Sequence, residues 1–309
     1  MTVPLSSPNV STSDMDTLLS SSLHNPGLLT KFHIPRFEQR LAIVRTWGVR
    51  EKERILDIGC GQGESCLALA LQVGKLGHVT GIDPAQLDYG HPFTMREAHE
   101  HIKTSVLGPR ITFYPVDTPS FLANLDVKPH TILDSAALCH SLWYFPNHDV
   151  AHSLFATLAQ ANIARLYLAE WSYTPSQESQ VPHVLAAKAQ ALLYRYKAPR
   201  EPGLREQNVR AGPDQQPIIK VANDAGFHVI KESLIPPVEG MQEGHLEVGY
   251  VLGELFQQRM AEGNLSDDQE AEIHALIQQL RSETERLESM GVTMWRSMDV
   301  WCAVLELKQ

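Results

Sequence analysis

The chain lacks the features of nucleic-acid-binding and membrane proteins. Its 26 lysines and arginines stand against 36 aspartates and glutamates, a formal charge of −10, and they form no basic cluster. A groove for a polyanion needs such a cluster. No apolar run could span a bilayer, and the N-terminus shows neither the basic start nor the apolar core of a signal peptide. We therefore expect a cytoplasmic protein with no nucleic-acid or membrane partner.

Cysteine is also scarce, and two common nucleotide-site patterns are absent. The four cysteines show no metal-ligand spacing, which predicts buried apolar thiols in a reducing compartment and no metal. A dinucleotide fingerprint would need glycine at position 64, where this chain has Glu64. No tyrosine is followed four residues later by lysine, which argues against a short-chain dehydrogenase.

The most informative stretch reads as a buried strand, a glycine turn and the start of a helix. Arg54 to Ile58 is largely apolar and leads into Gly59, Gly61 and Gly63, and an apolar run follows from Cys66. Glycines let the backbone turn tightly and approach a ligand, and the helix start offers free N–H groups. Asp57, at the strand end, could accept hydrogen bonds from an ammonium group.

The next strand ends in a second carboxylate. His78 to Ile82 precedes Asp83, which follows Gly63 by twenty residues. At this distance a βαβ unit places an acid on a ribose diol. We expect Asp83 to bind a ribose, with a simple turn before Pro84 as the alternative interpretation.

These motifs resemble the class I S-adenosylmethionine (SAM) dependent methyltransferases. The resemblance implies an α/β fold, a Rossmann-like seven-stranded sheet with helices on both faces, and SAM as cofactor. Further motifs resemble, more narrowly, a group of fungal methyltransferases of secondary metabolism. These motifs are Glu38-Gln39-Arg40, Asp88-Tyr89-Gly90, His140 with Trp143-Tyr144-Phe145, Ala169-Glu170, Pro182 to Ala186 and Met298 to Trp301. The expected cofactor-binding residues are Asp57, Gly59, Cys60, Gly61, Gly63, Asp83, Pro84, Asp117, Thr118 and Ser135.

The domain organisation follows from the spacing of the elements. We expect a disordered segment over residues 1–24 and a single domain over 25–309, with helical lid insertions at about 172–212 and 237–292. The fourth strand is predicted at Thr131 to Ser135. A long amphipathic helix from Asp267 must bury its apolar stripe, either on the lid helix or in a homodimer with a second subunit.

The carboxyl ends of the fourth and fifth strands carry the residues for chemistry. Ligands of open α/β sheets bind beyond these ends. His140 is the first candidate for a general base, followed by His183 and Glu170, and Trp143, Tyr144 and Trp171 would form apolar walls. The expected reaction is an SN2 methyl transfer from SAM to a hydroxyl, or less favourably to an amine, of a small secondary metabolite.

Two other functions stay open at this stage. One is an enzyme with the methyltransferase fold that catalyses a cyclisation or dehydration, with SAM as a fixed positive charge. The other is a SAM-binding regulatory protein that acts through a partner. A gain of one methylene unit in the product would exclude the first.

Overall fold

A seven-stranded mixed sheet forms the centre of the molecule. The computed structural model describes residues 11–125, 132–145, 148–197 and 215–308. The strand order is β3-β2-β1-β4-β5-β7-β6, in which β7 runs antiparallel to both of its neighbours and the other pairs are parallel. The strands are β1 Arg54–Ile58, β2 His78–Ile82, β3 Ile111–Tyr114, β4 Ser135–Cys139, β5 Arg165–Trp171, β6 Phe227–Ile235 and β7 Val300–Leu307. The predicted fold class is confirmed.

Helices cover both faces of the sheet because the central strands are apolar on both sides. Ile55 and Leu56 point to opposite faces of β1 and are both fully buried, each in a different apolar cluster. The helices are α1 Thr12–Ser21, α2 Ile34–Trp47, α3 Glu64–Val73, α4 Met95–Thr104, α5 Thr118–Ala123, α6 His148–Gln160, α7 Val181–Tyr196, α8 Gln215–Asp224, α9 Glu243–Leu252, α10 Glu254–Ala261 and α11 Asp267–Ser289.

Four helices from the two insertions form a lobe with its own apolar cluster. The stripe of α11 contributes Ile273, Ile277 and Leu280, which are buried against residues of α7, α9 and α10. The first of the two predicted packings is therefore observed: α11 lies on the predicted lid helix α7. Gly253 separates α9 from α10. Residues 198–212 of the first insertion lie outside the described residues.

The prediction of disorder over residues 1–24 is wrong for α1. Ser11 caps this helix by accepting a hydrogen bond from the Asp14 N–H. Met15 and Leu18 lie on one helical face and are buried within the apolar cluster on one side of the sheet. With the partly buried Leu19 they form one apolar stripe, which suffices to dock a short helix although the segment as a whole is polar. Residues 1–10 lie outside the described residues.

The fourth strand begins where the sequence predicted its end. β4 runs from Ser135 to Cys139, and all five residues are buried. Ser135 pairs with Ile55 and with Arg165, the first residue of β5. Ser135 therefore lies at the amino edge of the parallel strands, and the residue at the carboxyl edge is Cys139. Within the described residues, no helix is long and apolar enough to cross a membrane.

Candidate active site

The glycine turn between β1 and α3 lies at the carboxyl edge of the sheet. Gly59, Gly61 and Gly63 all have positive φ angles, of 72°, 51° and 96°. The amide of Gly59 donates to the Ile82 carbonyl at 2.8 Å, which fixes the turn to β2. A Cβ on Gly61 would meet no heavy atom within 4 Å. This backbone therefore faces open space, as a ligand cradle requires.

Asp83 connects the glycine turn to the loop after β2. One carboxylate oxygen accepts a hydrogen bond from the Gly61 N–H at 2.9 Å, and the other accepts one from the Ala85 N–H at 2.9 Å. A carboxylate has about four acceptor positions, so both oxygens can also accept from the two hydroxyls of a ribose. Asp83 is partly exposed and Pro84 beside it is exposed.

Asp57 lies at the end of β1, as predicted, and is buried there. Its side chain is 1% exposed and accepts hydrogen bonds from Ser65 Oγ at 2.6 Å and from Cys66 Sγ at 3.0 Å. Burial raises the pKa of this carboxyl above its ordinary value. Asp57 thus ties the end of β1 to the first turn of α3, and its observed hydrogen bonds go to protein groups.

Of the other predicted cofactor residues, some lie at the carboxyl edge of the sheet and one does not. Asp117 and Thr118 follow β3 at the carboxyl edge, where exposed Asp117 caps α5 by accepting from the Ser120 N–H at 2.8 Å. Cys60, in the glycine turn, is buried, with its Sγ 3.9 Å from the Gly61 carbonyl oxygen. Ser135 lies at the opposite edge of the sheet and cannot contact a ligand bound at the glycine turn.

The predicted cofactor residues that lie at the carboxyl edge of the sheet fit the nucleoside part of SAM. Open space at Gly61, a partly exposed Asp83 and the free N–H groups at the start of α3 lie side by side. Asp117 and Thr118 stand one strand further along the same edge. This arrangement supplies acceptors for hydroxyl groups and a backbone surface that an adenosine can approach.

The exit of β4 packs directly against the glycine turn. A Cβ on Gly59 would lie 2.7 Å from Ser141 Cβ, so the two loops are in close contact. His140, next to Ser141, has a positive φ of 57° and donates its backbone N–H to the Ala169 carbonyl at 2.8 Å. The predicted histidine therefore lies beside the cofactor cradle.

The His140 ring is buried and, among the described residues, hydrogen-bonds to no other group. Both ring nitrogens are shielded from solvent, and the ring packs 4.4 Å from the Trp171 ring between centroids. Burial, with the positive charge of Arg40, holds the pKa of His140 well below its ordinary value. His140 is therefore neutral at physiological pH.

Glu170 and His183 lie beside the His140 and Trp171 rings, and burial shifts their pKa values in opposite directions. Burial raises the pKa of Glu170 to about 8, so this carboxyl holds its proton at neutral pH. Burial lowers the pKa of His183 to about 3. His183 Nδ1 accepts a hydrogen bond from the Met298 N–H at 2.9 Å, which leaves the proton of the neutral ring on Nε2. His183 therefore presents a donor, and the geometry does not fit its predicted role as a base.

The three predicted aromatic walls differ in exposure. Trp143 and Trp171 are buried, and Tyr144 is 48% exposed. Trp171 lies between the two histidines, with its ring 5.4 Å from that of His183. Tyr144 therefore marks the mouth of the site, and Trp171 its inner wall.

An ion-pair network over the glycine turn was not predicted. Arg36 of α2 donates from Nη1 to Glu64 Oε1 at 3.1 Å and from Nε to Glu243 Oε1 at 2.8 Å. Arg40 lies 3.9 Å from the other Glu64 oxygen. The network joins the start of α3 to α9 in the helical lobe. Glu64, which stands where a dinucleotide fingerprint has glycine, is the member of this network that the sequence had marked as unusual.

A cavity of about 200 Å³ adjoins this network. Residues between α1 and α2 form one wall, the loop before α4 forms another, and Gln62 and Glu64 of the glycine turn close one end. Phe32 in the first wall packs under the Arg36 guanidinium at 4.1 Å. The segment between α1 and α2 is thus part of the surroundings of the cofactor cradle.

Among known proteins, the chain is similar over most of its length to two methyltransferases. No family model matches the chain. It is 36% identical to methyltransferase phomM' and to methyltransferase phomM, both from Diaporthe leptostromiformis, over 94% of this chain and 89% of each relative. A crystal structure of a cyclopropane-fatty-acyl-phospholipid synthase-like protein from Lactobacillus casei ATCC 334 superposes with a TM-score of 0.77, at 26% identity, over 96% of this chain and all of that one. The [4+2]-cyclase SpnF shares the fold, with a TM-score of 0.50 and 13% identity over 88% of this chain and 81% of that one.

Proposed function

The chain belongs to the SAM-dependent methyltransferases, and from this premise we propose that it methylates a hydroxyl group of a small metabolite with His140 as general base. The observation that carries the proposal is the contact between the exit of β4 and the glycine turn at Gly59. This contact holds the neutral His140 ring next to the cofactor cradle. SAM, when bound, supplies an electrophilic methyl group on a sulfonium.

The low pKa of His140 favours an acidic hydroxyl as acceptor. The ring is neutral and can take a proton, but a weak base removes a proton best from a group of modest pKa. A phenol, with a pKa near 10 as in tyrosine, suits this base better than an aliphatic alcohol does. General-base help of this kind contributes about 10² to 10⁴ in rate.

The shape of the site supports a flat acceptor. Trp171 forms the inner wall and Tyr144 stands at the mouth, so an aromatic acceptor would contact apolar rings on its way to His140. The curated relatives come from a fungus, which supports the proposal that the acceptor is a secondary metabolite.

An amine is the second candidate acceptor, and one observation favours it. Glu243 has a carboxylate oxygen, Oε2, that is buried and without a hydrogen-bond partner in the described part of the chain. Its charge acts on the His140 ring. Glu247, one turn further along α9, acts in the same way on Tyr144. Carboxylates at this side of the site would attract an ammonium group, which must then lose a proton before it can be methylated.

The test is an acceptor panel with SAM and the purified protein. Matched phenols, aliphatic alcohols and amines of similar size are incubated, and product mass and S-adenosylhomocysteine are measured together. We expect a gain of one methylene unit on phenols and stoichiometric release of S-adenosylhomocysteine. Methylation of amines alone would replace the hydroxyl proposal by its alternative. A product of unchanged composition would favour the non-methylating enzyme, and SAM binding without any product would favour the regulatory protein.

A further inference from the structure

Glu170 joins the two strand exits that form the acceptor side of the site. It is the last residue but one of β5, and its side chain is 2% exposed. Oε2 accepts a hydrogen bond from the Trp143 N–H at 2.8 Å, and Oε1 accepts one from the Trp171 N–H at 3.0 Å. The carboxyl thus fixes the backbone that follows β4 to the end of β5.

The same carboxyl faces one nitrogen of the His140 ring. Glu170 Oε1 lies 3.4 Å from His140 Nδ1. The ring cannot easily turn away, because Trp171 packs against it and the His140 N–H is bound to the Ala169 carbonyl. Both ring nitrogens are buried and no described residue forms a hydrogen bond with either, but Nδ1 alone has a carboxyl oxygen within 4 Å. A small movement of either side chain would therefore join Nδ1 to Glu170, which leaves Nε2 for a ligand.

We propose that Glu170 is a positioning residue that sets the tautomer of His140, an inference that rests on the proposed function. The ionised carboxylate accepts the Nδ1 proton and leaves a lone pair on Nε2, which can take the proton of the acceptor. The protonated carboxyl donates to Nδ1 instead, so that Nε2 carries the hydrogen and cannot act as a base. When Nε2 takes the acceptor's proton, the carboxylate balances the charge of the imidazolium.

The surroundings of Glu170 place this change near physiological pH. Burial raises the pKa of Glu170 to about 8. The hydrogen bonds from the Trp171 and Trp143 backbone N–H groups and the charge of Arg40 on α2 oppose this rise. His183 on α7 has a pKa of about 3, and Cys139 at the end of β4 has one of about 12. Neither neighbour changes its charge between these values.

Further charges act on the His140 side of the pair. Arg36 and Arg40 on α2 lower the pKa of the ring, while Glu243 on α9 and Glu64 at the start of α3 raise it. These four groups are joined in the ion-pair network over the glycine turn. The proton shared by His140 and Glu170 is therefore the one that leaves the site as the pH rises through about 8.

The first test observes the tautomer directly and needs no acceptor. The protein is labelled with ¹⁵N-histidine, and ring nitrogen shifts are followed from about pH 6 to about pH 10, within the range in which the pair titrates. The His140 signal is the one that is absent from His140→Gln. We expect hydrogen on Nε2 at low pH and on Nδ1 at high pH, with a midpoint near 8. An Nε2–H form that persists to the highest pH would overturn the proposal.

The second test compares two buried carboxyls of the same sheet. Glu170→Gln keeps the shape, but with its amide nitrogen in place of Oε1 it gives up the bond from the Trp171 N–H and donates to Nδ1, which fixes the hydrogen on Nε2 at every pH. Above about pH 8 we expect kcat to fall about 100-fold relative to wild type and to lose its rise, with little change in KM for SAM. Glu53→Gln is the control, because Glu53 is about as buried as Glu170 but accepts its hydrogen bond from the Tyr167 hydroxyl, at the opposite edge of the sheet. A Glu170→Gln enzyme with wild-type kcat and pH profile would refute the positioning role.

The two tests separate this inference from the function on which it rests. The tautomer change in a protein that methylates no acceptor would support the His140–Glu170 pair and refute the proposed function. Methylation by a protein whose His140 tautomer does not follow Glu170 would refute the pair alone.

Discussion

Removing the Asp83 carboxylate should weaken SAM binding more than any other single change at the cofactor cradle. In the structure this group accepts hydrogen bonds from the amides of Gly61 and Ala85, both at 2.9 Å. The proposed contact with the ribose would add two hydroxyl donors. Hydrogen bonds to a charged group are worth about 1.5 to 3 kcal/mol each. Loss of the two ribose bonds should therefore cost about 3 kcal/mol, which is roughly a 150-fold rise in Kd.

The assay is a calorimetric titration of SAM and of S-adenosylhomocysteine into wild type and Asp83→Ala. Asp224→Ala is the control, because this exposed carboxylate on α8 pairs with Lys220 at the far edge of the sheet. The control should bind as the wild type does, within twofold, which corresponds to about 0.4 kcal/mol. A folded Asp83→Ala protein with unchanged affinity would refute the placement of the ribose at Asp83.

Three further predictions concern stability. Gly81→Ala should destabilise the fold by about 1 to 3 kcal/mol in denaturant unfolding, because the added Cβ would lie 2.8 Å from Cys66 Sγ; an unaffected midpoint would contradict the tight packing under the glycine turn. Leu280→Ala should cost about 2 to 5 kcal/mol, because this side chain is fully buried in the helical lobe, whereas the exposed Gln279→Ala on the same helix should cost less than about 0.5 kcal/mol. Equal effects would argue against the observed packing of α11. His183, whose pKa is about 3 in the fold, should add stability that is complete above about pH 6.5 and is lost as the pH falls towards 3, and His183→Gln should reduce this acid sensitivity in pH-dependent unfolding.

The glycine turn and the position of Asp83 beside it could be predicted because their signals are local. Gly59, Gly61 and Gly63 have positive φ angles that few other residues adopt, and Asp83 follows them at the spacing of a βαβ unit. The strand order then places these groups at one edge of the sheet. Fold class and cofactor cradle therefore follow from short stretches of sequence.

The errors arise where local patterns are ambiguous. Ser135 was placed at the wrong end of its strand because the strand continues through Ala136 and Ala137, which have low strand propensity. Burial on both faces of the central sheet decides this strand, and burial is a tertiary property. The helix α1 was missed because its polar composition hides a single stripe around Met15 and Leu18.

Side-chain states could not be predicted from the sequence. The Met298 N–H that fixes the tautomer of His183 comes from a residue 115 positions away. The two amides that hold Glu170 come from the ends of neighbouring loops. The sequence could name His140, His183 and Glu170 as candidates, but only their packing shows an unbonded His140 ring, a His183 that accepts on Nδ1 and a buried Glu170 carboxyl held by two amides.

The measurement that tests the central proposal most directly is the rate of S-adenosylhomocysteine formation by wild type and His140→Ala, at saturating SAM and acceptor and above about pH 8, where Glu170 is ionised. If His140 takes the acceptor's proton, the rate should fall by about 10² to 10⁴ while the Kd for SAM stays within a few-fold. A His140→Ala enzyme that turns over at the wild-type rate would contradict the assignment of the base and, with it, the placement of the acceptor at the exit of β4.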